Sequence, residues 1–492
     1  MSAAVIILWL GYGLLLLVLT SLAKGGNVLL PGRVGAVAQA FAYVATYVSA
    51  VALVGFAGLG HSMGLQIQLV TMGCVWFGCW MVYKYIAWPT RRLQEGLGAQ
   101  TPIELFSKGY NSPGLGRLLG ALSGALILIY CSAVFKGGAI ILTGAVNLNE
   151  TQALWVLVGL VAASVLWGGL RAVLYTEALQ GLIMTIGVSL MVYCALRYVG
   201  GLSAGLSGLA ALPPTEAANN GYLALSSGAA GLNIISLMLV TSVGMWAQPQ
   251  IMQRHFALKS KEEATRIIPM SMLVIAVLLG GALLVGSLSR LIIGPEIASA
   301  DQVIPTIVSL VMPAWGIQIF ALAIVSASLS TASALLHVSC ACLGRDVMGG
   351  RLEGWKWRLA VICGALVAGL VAQHSSSIIA IICATSWTLV AAAMWIPYLA
   401  LLIKGPGLTP GLGWSASLVG MAGALGWYFL AYAPTSLKYT GLAVPGIAGH
   451  IHPMLIGMLS SAAGLGLALL PRLWRRNGLA LEAPAAAASP NQ

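Results

Sequence analysis

The chain has 492 residues, of which 59% are hydrophobic and only 7% charged, with a mean hydropathy of +0.94. A soluble domain carries about 25% charged residues, so a soluble core of this length is excluded. The net charge of +12 would suggest acidic partners in a soluble protein. In so apolar a chain it reads as topology, because basic residues collect in cytoplasmic loops.

Apolar stretches fall at about 3–22, 37–59, 67–88, 118–146, 153–167, 174–198, 232–247, 268–288, 315–336, 359–371, 378–402, 414–432 and 454–470. Their lengths suit about 30 Å of hydrocarbon, and each must be helical, since an isolated strand in lipid leaves its backbone unpaired. The first lacks a basic leader region and a small-x-small cleavage site, so it reads as a retained helix rather than a signal peptide. With the N-terminus outside, Lys24, Arg33, Lys84, Arg91, Arg92, Lys108, Arg117, Arg171, Arg254, Lys259, Lys261, Arg266, Arg345, Arg351, Lys356, Arg358, Lys404, Arg472, Arg475 and Arg476 fall inside. Only Arg197, Arg290 and Lys438 fall outside. This asymmetry predicts an N-out, C-in arrangement with an odd number of helices, about 13. Between spans, Thr101-Pro102-Ile103-Glu104 reads as a helix start with a capping carboxylate. The segment at about 199–231 reads as a Gly/Ser/Pro-rich outer loop, and residues 477–492 as a disordered cytoplasmic tail after a single transmembrane domain, 1–476.

In span 2, Gly55, Gly58 and Gly60 mark where a helix unwinds. In span 7, Thr241-Ser-Val-Gly244 running into Trp246-Ala-Gln-Pro249 is a matching weak point. Helices interrupted at corresponding places in two halves point to a midplane binding site. Lys136, in the outer half of span 4, needs a partner or a wet cavity; it is either the counter-charge of an anionic substrate or a snorkelling or paired structural lysine. Glu177, near the inner end of span 6, is either a cation or proton relay or the ion-pair partner of Arg171. In span 9, Ser326, Ser330, Ser333 and His337 recur at helical spacing and line one face, with Thr331 adjacent. Such hydroxyls, with carbonyls freed in a broken helix, suit a hard cation such as Na⁺; alternatively they bond their own helix and permit close packing. His337 either titrates or is a satisfied core histidine. The eight cysteines, Cys74, Cys79, Cys131, Cys194, Cys340, Cys342, Cys363 and Cys383, contain no C-x-x-C pair and read as small buried hydrophobes. No HExxH, phosphate-binding loop or nucleophile elbow is present, so no enzyme is expected.

Four segments together resemble the sodium:solute symporter family. They are Leu30-Pro-Gly-Arg33, GGLRAVLYTEALQG at 168–181, WAQPQIMQRHFALKS at 246–260, and ADQVIPTIVSLVMPAWGIQIFALAIVSASLSTASALL at 300–336. Glu177 replaces the usual Asp of the second segment. The resemblance implies an all-α, LeuT-type fold in which spans 2–6 and 7–11 form a five-plus-five inverted repeat. It also implies a sodium site built from the carbonyls of Ala45, Val48 and Ala327 and the hydroxyls of Ser330 and Thr331. A second cation would use Glu177, Ser330 and Ser333, although Ala334 stands where another hydroxyl can occur. Lys136 lies about where the family's sialic acid carriers have a basic residue that meets the substrate carboxylate, and Thr46, Tyr47, Ser49, Trp76 and Trp246 read either as pocket walls or as packing.

The expectation is therefore a multi-pass inner-membrane carrier that couples Na⁺ to a small organic solute. The pantothenate and monocarboxylate branch is the nearest in motif, and an organic anion is the expected cargo. Its other surroundings are membrane lipid, with no nucleic acid. The alternatives are a proton-coupled carrier using Glu177 or His337, and a Na⁺ symporter of an amino acid or other neutral solute. A membrane sensor fused to a kinase is the remaining class; the tail after Arg476 is too short to hold such a domain.

Overall fold

The computed structural model describes residues 3–481 apart from 23–27, 33, 147, 226–227, 298, 351, 375–378, 443 and 445–446. Lys24, Arg33, Arg351 and the tail beyond 481 thus lie outside the described residues. In chain order the helices are α1 (Ala3–Leu22), α2 (Ala36–Tyr47), α3 (Ala57–Met63), α4 (Gln68–Gly73), α5 (Ala87–Leu97), α6 (Pro102–Gly109) and α7 (Pro113–Val146). Then come α8 (Glu150–Tyr198), α9 (Leu202–Ala211), α10 (Gly228–Ser242), α11 (Pro249–His255), α12 (Lys261–Ile275), α13 (Gly281–Ile293) and α14 (Ala300–Val311). The last are α15 (Ala314–Ala341), α16 (Trp355–His374), α17 (Ile379–Lys404), α18 (Pro410–Leu430), α19 (Ala433–Tyr439) and α20 (Pro453–Leu481). Beyond one isolated bridge, Thr215–Ala218, the described residues contain no strand.

Among the described residues nine helices are long and apolar enough to cross a membrane, or up to eleven if each of two bent pairs counts as one span. The described parts of the thirteen apolar stretches are mostly helical, with a break at 48–49 inside the second. Helix α8 has 49 residues, about 74 Å at 1.5 Å per residue, far more than one crossing. Gly169, with φ 57° and ψ −163°, divides it, a conformation open only to glycine. There the Leu170 N–H donates to the Val28 carbonyl at 3.1 Å.

Helix α15 is the centre of the bundle. With its π-helical continuation Cys342–Val347, 94% of its most apolar segment lies inside, against 17% for α1. Short α6 is bolted to the end of that continuation. Thr101 caps α6 by accepting from the Glu104 N–H, and Glu104 accepts from the Gln100 N–H at 3.0 Å. Arg345 and Lys108 both pair with Glu104, and Thr101 donates to Asp346 at 2.7 Å. Burial opposes ionisation of Glu104, but the Gln100 N–H, Lys108 and Arg345 outweigh it and hold the carboxyl below its ordinary value.

Several expectations are corrected. The described part of the segment at about 199–231 contains α9 and a buried Tyr222 whose carbonyl accepts from the Leu65 N–H, so it is folded rather than a plain loop. Helix α20 continues past Asn477 to Leu481. Cys363 is exposed rather than buried. Gly58 and Gly60 do not unwind their helix: they lie within α3, where a Cβ on Gly58 would overlap the Ala300 carbonyl. A Cβ on Gly286 of α13 would likewise overlap the Ala57 carbonyl. These glycines permit backbone contact instead. Replacing Gly286 by Val should therefore lower the thermal unfolding midpoint of the purified protein, at a cost of about 1–3 kcal/mol or more. The same change at Gly159, which has open space around it, should cost far less.

Candidate functional site

Two helices break inside the bundle. Between α2 and the π-helical turn Val51–Phe56, Val48 turns extended (φ −98°, ψ 101°). Neither glycine nor proline sits at this break. The second break follows α10: a 3₁₀ turn, Val243–Ala247, leads to extended Gln248 and then α11, with a 57° bend. Here the cause is legible, because Pro249 disfavours helix at the preceding residue and is itself well placed to start one.

Ser330 of α15 reaches the first break. Its hydroxyl contacts the Ala45 carbonyl at 2.8 Å and the Ala327 carbonyl at 3.1 Å. The next residue, Thr331, is buried and its hydroxyl has no partner among the described residues. Buried hydroxyls are normally satisfied, so this donor set of neutral oxygens fits a hard, weakly charged cation. Ala45, Val48, Ala327, Ser330 and Thr331 all lie where α2 ends against α15 or on α15 itself, each almost fully buried.

The other members of the polar face go elsewhere. Ser326 bonds Tyr12 of α1 at 2.8 Å, and Ser333 meets Ser164 of α8 at 3.3 Å. The His337 Nε2–H donates to the Val28 carbonyl at 2.8 Å, and the ring packs on Trp357 at 5.0 Å. His337 is thus a core histidine held through Nε2, its Nδ1 buried without a partner among the described residues. Glu177 pairs with Arg254 at 2.5 Å, both fully buried, rather than with Arg171. Arg254 Nε also donates to the Thr46 hydroxyl at 3.1 Å, and Gln39 donates to the Arg254 carbonyl. Arg254 is thus buried rather than a loop charge, Glu177 pairs with it through one carboxylate oxygen while the other has no partner among the described residues, and Thr46 belongs to the ion-pair network.

A cavity of about 30 Å³ joins the two breaks. Tyr47, Val48 and Ser49 line it from the first, Thr241 and Met245 from the second, with Cys74 and Trp387 completing the walls. Tyr47 donates to the Thr241 carbonyl at 2.5 Å, tying the breaks together. Trp246 stands beside this cavity but does not line it; its indole donates to the Phe77 carbonyl and stacks on Trp395 at 5.8 Å. Trp76 is 50% exposed and packs against Trp80, away from the lining of this cavity. Lys136 is half-buried and engaged. Its neighbours Val134 and Gly137 line a separate cavity of about 100 Å³ with Gly55 and Asp301, so a direct counter-charge role does not follow from its position. Sequence reasoning marked Thr241 only as part of the second weak point, and missed Trp387 and Cys74 as cavity walls and Arg254 as a buried partner.

The ion pair makes a prediction. Truncating Glu177 or Arg254 to Ala alone strands a buried charge and should cost on the order of 3–5 kcal/mol, read as a lowered thermal midpoint. The double change Glu177→Leu with Arg254→Met should recover most of that loss.

The sodium:solute symporter family model matches residues 29–405. The sodium/pantothenate symporter of Haemophilus influenzae is 28% identical over 311 residues, 61% of each chain. That of Escherichia coli is 26% identical over 64% of each. The chain thus spans less than two thirds of these relatives, but it matches 88% of the H. influenzae sodium/proline symporter at 25% identity over 87% of its own length. Among solved structures, a Na⁺-coupled sialic acid symporter superposes with a TM-score of 0.73 at 16% identity, over 95% of this chain and 98% of that one. MHP1, a nucleobase-cation-symport-1 family transporter, gives 0.54 at 14% identity, over 92% and 95%. The fold is therefore LeuT-type, a multi-pass transporter architecture with interrupted helices, and the matched family model covers most of the chain: this protein belongs to the sodium:solute symporter family.

Proposed function

We propose that this protein is a secondary active transporter of the inner membrane that couples Na⁺ entry to uptake of a small organic acid by alternating access. The observation that carries the reading is the buried, unpartnered Thr331 hydroxyl beside Ser330, whose own hydroxyl touches two main-chain carbonyls at a helix break. Na⁺ would sit among the carbonyls of Ala45, Val48 and Ala327 and the hydroxyls of Ser330 and Thr331. The Ser330 hydroxyl would then turn its lone pair to the ion. Bound there, the cation ties α2 to α15 and favours a formed cavity at the breaks. Coupling is the free energy that the two ligands share through that arrangement.

The relatives named as sodium/pantothenate and sodium/proline symporters support the ion and the small solute. The choice of Na⁺ over a proton rests on the neutral-oxygen set at the first break and on these relatives. The orientation N-out, C-in rests on the basic loops, which remain lopsided after Arg254 is set aside.

Two outcomes follow. In proteoliposomes, Ser330→Ala with Thr331→Ala should abolish Na⁺-stimulated uptake while leaving the protein folded; unchanged sodium dependence would remove this site. A cysteine at Lys259, in a background without Cys363, should label only from the cytoplasmic side, and one at Lys438 only from outside. The reverse pattern would invert the topology.

A further inference from the structure

Arg197 sits in the last turn of α8, at the end of the bundle that the basic loops place outside. The helix stops at Tyr198 and the chain reverses at Gly200 and Gly201, both at positive φ. Arg197 is exposed, donates to the Tyr193 hydroxyl at 3.2 Å, and pairs with no carboxylate among the described residues. It also runs against the positive-inside bias, so topology does not account for it.

An open groove of about 510 Å³ lies beside it, bounded by Tyr193, Cys194 and Tyr198 of α8 and by Val311 and Trp315 where α14 gives way to α15. The groove is the mouth of a wedge. At its narrow end α8 and α15 are so close that a Cβ on Gly187 would overlap the Ala323 Cβ. The rim is aromatic: Tyr193, Tyr198 and Trp315 are each more than half exposed, and such rings settle at headgroup depth. Leading away from it, Leu190, Ile186 and Leu182 follow at four-residue spacing and form one ridge of α8. That ridge covers about 12 Å at 1.5 Å per residue. Ile186 and Leu182 are exposed on a helix apolar enough to cross the membrane, so they face acyl chains.

We propose that this groove binds one anionic phospholipid of the outer leaflet. Its phosphate meets Arg197 and the Tyr193 and Tyr198 hydroxyls, and one acyl chain follows Leu190, Ile186 and Leu182. A guanidinium with phenol donors suits phosphate oxygens, whereas an arginine that merely snorkels needs no groove. The uncompensated positive charge favours a lipid with one net negative charge over a zwitterion. Seated there, the lipid fills the wedge between α8 and the α14–α15 junction, and α14 in turn abuts the outer half of the first broken helix at Gly58. The proposal goes beyond the transport reading and shares only its orientation, which decides the leaflet.

The test is native mass spectrometry of the full-length, detergent-purified protein titrated with dioleoyl phosphatidylglycerol, dioleoyl phosphatidylcholine or glycerol 3-phosphate, with thermal midpoints measured in parallel. Wild type should hold one phosphatidylglycerol about fivefold more tightly than phosphatidylcholine, the worth of one basic side chain at a lipid surface. Its midpoint should rise with that lipid. Arg197→Gln should abolish the preference, Arg197→Lys should keep most of it, and Trp315→Leu should weaken both lipids alike. Because Arg197 and Trp315 are exposed, all three variants should match wild type in midpoint without lipid, which separates lipid loss from a folding defect. Equal retention by wild type and Arg197→Gln marks annular lipid and overturns the proposal, as does no preference for phosphatidylglycerol. A midpoint rise with glycerol 3-phosphate that Arg197→Gln removes assigns the groove to a soluble phosphate and overturns the lipid.

Discussion

Backbone groups released by a helix break inside an apolar bundle must find partners there, because no bulk water reaches them. Much of this structure answers that constraint. The Ala45 carbonyl is met by Ser330, the Thr241 carbonyl by Tyr47, and the Val243 carbonyl by the Trp395 indole at 2.9 Å. The Val28 carbonyl, opposite the Gly169 kink, receives both the Leu170 N–H and His337. Hydroxyls and aromatic N–H groups thus hold broken main chain in register. Where such a group is left over, as at Thr331, it is available to a ligand.

Helix α15 distributes these contacts. Its serine face meets α1 through Ser326, the end of α2 through Ser330 and α8 through Ser333. One apolar helix with a polar stripe therefore sets the spacing of three neighbours. The Glu177–Arg254 pair fixes α8 against α11, and Thr46 extends the link to α2. A buried pair of this kind contributes more to a unique arrangement than to net stability.

The spans were legible because lipid imposes length and composition, and the second break because Pro249 restricts Gln248. The first break was misplaced. Glycines look like points of weakness, but Gly58 and Gly286 are spent on backbone contact, whereas Val48 and Ser49 carry no sequence mark of extension. Arg254 looked like a loop charge because it follows the polar Gln250 and Gln253, and only its distant partner Glu177 reveals its burial. Trp76 and Trp246 could not be told apart, since a helix apolar on all sides gives no periodic signal for which face meets lipid. Trp387 was invisible as a cavity wall for the same reason.

The glycine contacts of α3 have a mechanical consequence. The outer half of the first broken helix touches α13 and α14 backbone to backbone, at Ala57–Gly286 and Gly58–Ala300. The inner half, α2, is held by side-chain hydrogen bonds through Gln39, Ala45 and Thr46. Close contact of the same kind ties α2 to α8, where a Cβ on Gly181 would crowd the Phe41 carbonyl. The two halves of the broken helix are thus each fixed to different neighbours, and residues 48–49, beside the oxygens that would hold the cation, are the joint between them.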